Sequence, residues 1–249
     1  MTIPKTPVVF SLVTLILLVS CSKEVSPNKL VTKNGVVFLE KSSNPFTGST
    51  TYLYEDGNIL ETGSFVNGYK EGVWDVYHQN GRIQGTHKYV KGVLNGPFEN
   101  FWDNGQLSGN GFYLDGNYQG LVNSFDKDGT PSTKIYYLNG VRDGPYEWYW
   151  DTWERGNLRL RGDYKDGKPN GLWEGYSPSG EIWFRGKYKE GTIVGSFDEY
   201  GRGELRQSCC GCETNDPLDQ VILSCDMDPY LRHTEITGEW YIHMGSNQQ

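Results

Sequence analysis

The chain has 249 residues, enough for one large domain or two ordinary ones. It carries 32 glycines and 14% aromatic residues against only 36% hydrophobic residues in all. So few aliphatics with so much glycine and aromatic argues against a compact α/β enzyme core, and glycine that does not fall at every third position excludes collagen. A formal charge of −8 argues against unassisted binding to nucleic acid or anionic lipid, whose phosphates need a basic face.

The run from Pro7 to Ser20 is apolar and stops at Cys21. About a dozen apolar residues suit a signal-peptide core and fall short of the ~20 needed to span a bilayer. The segment Leu18-Val19-Ser20-Cys21 resembles the lipobox of bacterial lipoproteins. That resemblance implies removal of residues 1–20 and lipidation of the Cys21 thiol, which converts a spanning segment into an anchor. Residues 21–30 read as a polar tether. Position 22 is Ser and not Asp, which by the usual sorting rule favours the outer membrane of a Gram-negative envelope.

From there a clock runs. Gly48, Gly72, Gly96, Gly120, Gly144, Gly171 and Gly195 are spaced 24 residues apart, with a single interval of 27. Five residues after each stands Leu53, Tyr77, Phe101, Phe125, Tyr149, Tyr176 or Tyr200. A further column, Phe65, Tyr89, Tyr113, Tyr137, Tyr164 and Tyr188, keeps the same time and slips by the same three residues. Columns that shift together at one insertion mark tandem repeats. Asx-Gly pairs punctuate them at Asp56-Gly57, Asn67-Gly68, Asn80-Gly81, Asn104-Gly105, Asp115-Gly116, Asp128-Gly129, Asn139-Gly140 and Asp166-Gly167. Such pairs predict two-residue hairpin turns in which both central residues take positive φ. The expected fold is therefore all-β: an elongated open sheet of about seven tandem hairpins over residues 31–203, begun by a half-unit at Asn34-Gly35. A lone hairpin is marginal in water, so neighbours must stack to bury the aromatic columns.

The repeated pattern, seen in Gly72-Val73-Trp74-Asp75-Val76-Tyr77 with Gly81 and Tyr89 following, resembles the bacterial MORN-repeat variant of YwqK-family antitoxins from about Asn44 to Gly203. The resemblance implies an elongated scaffold for protein interaction. An antitoxin of that family would meet its toxin in the cytoplasm. The export signal here moves the expected partner, an unidentified protein, outside it, as for an immunity lipoprotein.

Candidate chemistry is sparse. Asp75, Glu99, Glu147, Glu174 and Asp198 share one position of the repeat, with Thr51 and Asn123 breaking the column. Equivalent strands lie about 10 Å apart, so this is a row on a solvated face and not a paired-carboxylate centre. Binding of a cation or a basic partner is the alternative. The fifth unit carries the three extra residues and places Tyr146, Trp148, Trp150 and Trp153 at a lengthened hairpin. Flat aromatics dominate protein hot spots and also suit sugar rings, so these are the candidate binding residues. A cell-wall or glycan-binding lipoprotein is accordingly the second functional reading. Residues 204–249 leave the clock and read as a cap. In an exported chain Cys209, Cys210, Cys212 and Cys225 suggest disulfides first and a soft metal second. Each glycine reads as a hairpin-turn residue, and His78, His87, His233 and His243 sit in no nucleophile motif. No catalytic residues, cofactor or metal are expected.

Overall fold

The computed structural model describes residues 24–151, 156–201 and 204–210. Two strands, β1 (Leu30–Lys33) and β2 (Val36–Leu39), make a small antiparallel sheet of their own. All others belong to one open antiparallel sheet: β3 (Gly48–Leu53), β4 (Ile59–Val66), β5 (Tyr69–Tyr77), β6 (Ile83–Val90), β7 (Val93–Phe101), β8 (Leu107–Leu114), β9 (Asn117–Tyr118), β10 (Gly120–Phe125), β11 (Pro131–Leu138), β12 (Val141–Tyr149), β13 (Leu158–Lys165), β14 (Lys168–Tyr176), β15 (Ile182–Lys189), β16 (Thr192–Gly201) and β17 (Glu204–Cys210). Strand order follows chain order from β3 to β17, with the two-residue β9 beside β10 on the edge of β8. The sheet does not close. The all-β, hairpin-by-hairpin architecture expected from the repeat is the one observed.

The Asx-Gly pairs divide into two turn families. Where a unit passes to the next, both central residues take positive φ, as in Asn67 (51°) with Gly68 (79°) and Asn139 (52°) with Gly140 (80°). These are the expected two-residue turns. Within a unit the turn is longer. The His78 N–H donates to the Arg82 carbonyl, the Gly81 N–H donates to the His78 carbonyl, and Gly81 takes the left-handed conformation. This is a three-residue loop, a type I turn followed by a left-handed glycine. The same bonds recur at Tyr54–Asn58, Trp102–Gln106, Asp126–Thr130 and Ser177–Glu181. The Asx side chain works differently here, accepting the N–H two residues on, as Asn80 does from Arg82 at 3.0 Å.

The framing glycines do not sit at turns either, which corrects the reading of every glycine as a hairpin residue. Thr62 pairs with Asp75 and Ser64 with Glu71, so Gly63 alone opposes Gly72, Val73 and Trp74. Gly72 lies inside this bulge with φ of 74°. Bulges of the same kind recur between β6 and β7, β11 and β12, β13 and β14, and β15 and β16. A bulge bends the strand and increases its twist, so the 24-residue clock is a periodic bend. Another set of glycines makes room for rings: a Cβ on Gly63 would meet the Trp74 ring at 2.2 Å, and one on Gly162 the Trp173 ring at 2.2 Å.

Two aromatic cores follow from this. The first gathers Val25, Phe46, Phe65 and Trp74; the second gathers Tyr146, Leu160, Tyr164, Trp173, Phe184, Tyr188 and Ile193. Trp74 is 1% exposed and Trp173 0%, each packed edge-on against the aromatic residue of the preceding strand, Phe65 or Tyr164, at 5.1 Å.

Three boundaries differ from expectation. The half-unit at Asn34-Gly35 does not begin the large sheet; β1 and β2 pack against its first core instead. The segment expected as tether is docked from Glu24 on, because Glu24 pairs with Ser49, Val25 is buried, and the Thr50 hydroxyl donates to the Val25 carbonyl at 2.7 Å. This covers the edge of β3, which would otherwise offer unpaired backbone groups. At the other end the array does not stop at 203, since β17 pairs with β16 and completes the seventh hairpin.

Candidate interaction surface

Alternate residues of a strand face opposite sides, so the sheet has two distinct faces. One holds the buried rings. The other carries a polar ladder with one residue on each strand from β3 to β16 apart from β9, paired in register: Thr51, Thr62, Asp75, Thr86, Glu99, Asn110, Asn123, Lys134, Glu147, Arg161, Glu174, Arg185 and Asp198. The acidic column seen in the sequence is every second rung. The rungs between are supplied by the returning strands, and from Lys134 to Arg185 they are cations.

Glu174 is the best-built rung. Its side chain is 5% exposed, Arg161 donates from Nε and Nη2 to Oε2 at 2.7 and 2.5 Å, and Arg185 donates from the same pair to Oε1 at 2.9 and 2.6 Å. Tyr176 adds its hydroxyl at 2.9 Å. Burial pushes the carboxyl up, but the hydrogen bonds from Arg161, Tyr176 and Arg185 outweigh it and hold its pKa below the usual value. The Tyr176 hydroxyl is pushed up to about 12 by burial and by that carboxylate. Glu147 is lowered by the Tyr149 hydroxyl and by Lys134, which lies 3.1 Å away. In the first half the rungs are joined by hydroxyls and amides: Thr86 to Asp75 at 2.8 Å and Asn123 to Asn110 at 2.8 Å.

Beside the ladder runs a second row on the same face, also one residue per strand: Val73, Lys88, Pro97, Phe112, Leu121, Tyr136, Pro145, Asp163, Leu172 and Lys187. All ten are exposed, and the middle five are apolar. Phe112, Leu121 and Tyr136 are 41%, 46% and 40% exposed, and the exposed Val93, Leu114, Leu138 and Val141 adjoin them toward the turns. The signal was present in the sequence, one residue after each framing glycine and one before each residue of the Phe65–Tyr188 column. It was hidden because its residue type changes from unit to unit.

Three of the residues singled out at the fifth hairpin make contacts within the sheet. Tyr146 is 7% exposed and packs between Tyr164 and Trp173 in the second core. Trp148 packs against that core. The Arg159 guanidinium lies over both Trp148 and Trp150, 3.9 and 4.4 Å from the ring centroids, so these two indoles do share a face but one cation covers each. The Trp150 Nε1 donates to the Tyr176 carbonyl at 3.1 Å. Tyr54 to Tyr77 at 2.7 Å, His78 with Phe101 at 2.9 Å and Trp102 to Phe125 at 2.9 Å make the same stitch between units. Trp150 therefore belongs to a column shared with other units and does not project beyond it. Trp153, Cys21, Cys212 and Cys225 lie outside the described residues, while Cys209 and Cys210 occupy the end of β17 opposite Phe197 and Ser196. Among the described residues no group of three or more His, Cys, Asp or Glu is placed to hold a metal ion, and no helix is long and apolar enough to cross a membrane.

No protein-family model matches the chain, and no curated protein is detectably similar to it.

Proposed function

We propose that this chain is a MORN-type scaffold of the bacterial envelope, anchored through lipid on Cys21, that acts by binding protein outside the cytoplasm and performs no chemistry. The apolar row centred on Leu121 carries the reading. Contiguous exposed apolar surface rimmed by polar groups marks interaction sites, and the ladder supplies such a rim. The docked Glu24 and Val25 support a body held close to its anchor, since few residues separate them from Cys21. An antitoxin-like role would use the same face on a partner met outside the cell or in the periplasm.

The test is in-cell crosslinking followed by capture and mass spectrometry, comparing the natural chain with Leu121→Lys. A protein partner is expected with the natural chain, and its yield should fall by about tenfold or more in the variant, as for a central interface residue. Envelope glycan recovered equally from both would overturn the reading in favour of a wall-binding lipoprotein. Cys21→Ala should move the chain from the membrane to the soluble fraction, and continued membrane association would remove the anchor from the proposal.

A further inference from the structure

The exposed row is symmetric about Leu121. One strand away on either side stands an aromatic residue, Phe112 on β8 and Tyr136 on β11. Two strands away stands a proline, Pro97 on β7 and Pro145 on β12. Three strands away stand charges of opposite sign, Lys88 on β6 and Asp163 on β13. Four strands away stand aliphatics, Val73 on β5 and Leu172 on β14. The neighbouring row repeats the match with Leu114 against Leu138 and Val93 against Val141.

We propose that a second copy of this chain covers this face, related to the first by a twofold axis that runs along β10 between the two sheets. Such an axis keeps every residue at its level along the strands and reverses strand order. Leu121 then meets Leu121, Phe112 meets Tyr136, Pro97 meets Pro145, and Lys88 meets Asp163 twice in each dimer. An interface of this type must be complementary to itself. Like charges at the third strands would set cation against cation on both sides of the axis; opposite charges make two attractive pairs. Two sheets packed face to face lie about 10 Å apart with strands within about 30° of each other, which suits broad twisted surfaces of this kind. The apolar centre and the ladder beside it reproduce the apolar core and polar rim of protein interfaces. The inference rests on the reading of this face as a protein interface and names its occupant. It leaves the aromatic faces and both rows of turns directed outward.

The experiment is sedimentation of the full-length chain in nonionic detergent at micromolar concentration. The natural chain should carry the mass of two polypeptides. Leu121→Lys should weaken the dimer by about tenfold or more, because two cations then meet on the axis. Lys88→Asp and Asp163→Lys should each weaken it by about tenfold, since each sets like charges together at two places. Mixing those two variants should restore a dimer, now mixed, because a copy with two anions then faces a copy with two cations and both contacts become attractive. A chain that had merely failed to fold would not be rescued. A natural chain that sediments as a monomer overturns the proposal, as does a dimer indifferent to all three substitutions. If the monomer still captures a different protein in cells through Leu121, the interface stands with another occupant. If capture ignores Leu121, both readings fall.

Discussion

The two halves of the sheet share a backbone and differ in what joins its strands. Before Asn123 the ladder is built of threonine, asparagine and two carboxylates, Asp75 and Glu99, with no cation among its rungs. From Lys134 on, cation and anion alternate as far as Asp198. Each half has its own aromatic core, one around Trp74 and one around Trp173. The register is the same in both, so the ladder's charge is not what sets it. Bulges, turns and packed rings recur in both halves and fix the alignment, while the rungs are free to change.

The largest expected effect tests that division. If the cores carry the fold, Trp74→Ala and Trp173→Ala should cost about the same, on the order of 3–5 kcal/mol each. Both indoles are wholly buried and lie over a glycine backbone that cannot relax far into the space left behind. Denaturant unfolding measures this. Stability in a repeat array is carried by units and their neighbours, so each loss should appear in the transition of its own half. A Trp173 variant that loses far less than its Trp74 counterpart would mean that the charged rungs carry part of the second half's stability.

A smaller effect separates the ladders themselves. Glu174→Gln removes the charge that two arginines share at a nearly buried position. Those guanidinium groups are about half exposed, so solvent screens them and the expected cost is about 1–2 kcal/mol. Asp75→Asn keeps a partner for Thr86 and should change stability by less than about 0.5 kcal/mol. The Glu174 carboxyl titrates below its ordinary value of 4.5 in the folded chain. Its contribution is therefore complete above that value and disappears as pH falls through the lowered pKa. Acid titration of stability should show a steeper loss below pH 4.5 in the natural chain than in Glu174→Gln. Parallel curves would mean that the pairing contributes nothing net.

Much of this was legible in advance, for a definite reason. Gly72 with Trp74, Tyr77 and Tyr89 recurs because bulge, core and turn must each be rebuilt in every unit, so the pattern announces a hairpin array. What escaped was whatever the repeat does not copy. Lys134, Arg161 and Arg185 share a position with Thr62, Thr86 and Asn110, and only the register puts them between the carboxylates. Leu121 shares its position with Val73, Pro97 and Pro145 and so looked like ordinary variation. Trp148 and Trp150 drew attention because tryptophan is large and clustered there, but a sequence does not show that Arg159 lies over both rings. Glycine misled for a related reason. Gly63 and Gly162 have no turn to make and are small because a ring from the next strand lies on the backbone.

The smallest expected effect distinguishes the two families of turns. Lys91 holds the first position of a two-residue turn with φ of 50°, where Asn67 and Asn139 stand in other units. A side chain with a Cβ pays roughly 1 kcal/mol for that conformation, and asparagine tolerates it better through local hydrogen bonds. Lys91→Asn should therefore stabilise the chain by about 0.5 kcal/mol while leaving the bond from its own N–H to Glu71 in place. At the other end of the same unit the sign should reverse. Asn80 belongs to the three-residue loop, accepts the Arg82 N–H at 3.0 Å and donates from Nδ2 to the Asp103 carbonyl of the next turn at 2.8 Å. Asn80→Lys loses both bonds and should destabilise by a similar amount, about 0.5–1 kcal/mol. Urea midpoints of the two variants would then move in opposite directions from the natural chain. A shift in the same direction would show that the two ends of the hairpin are not built on different turns.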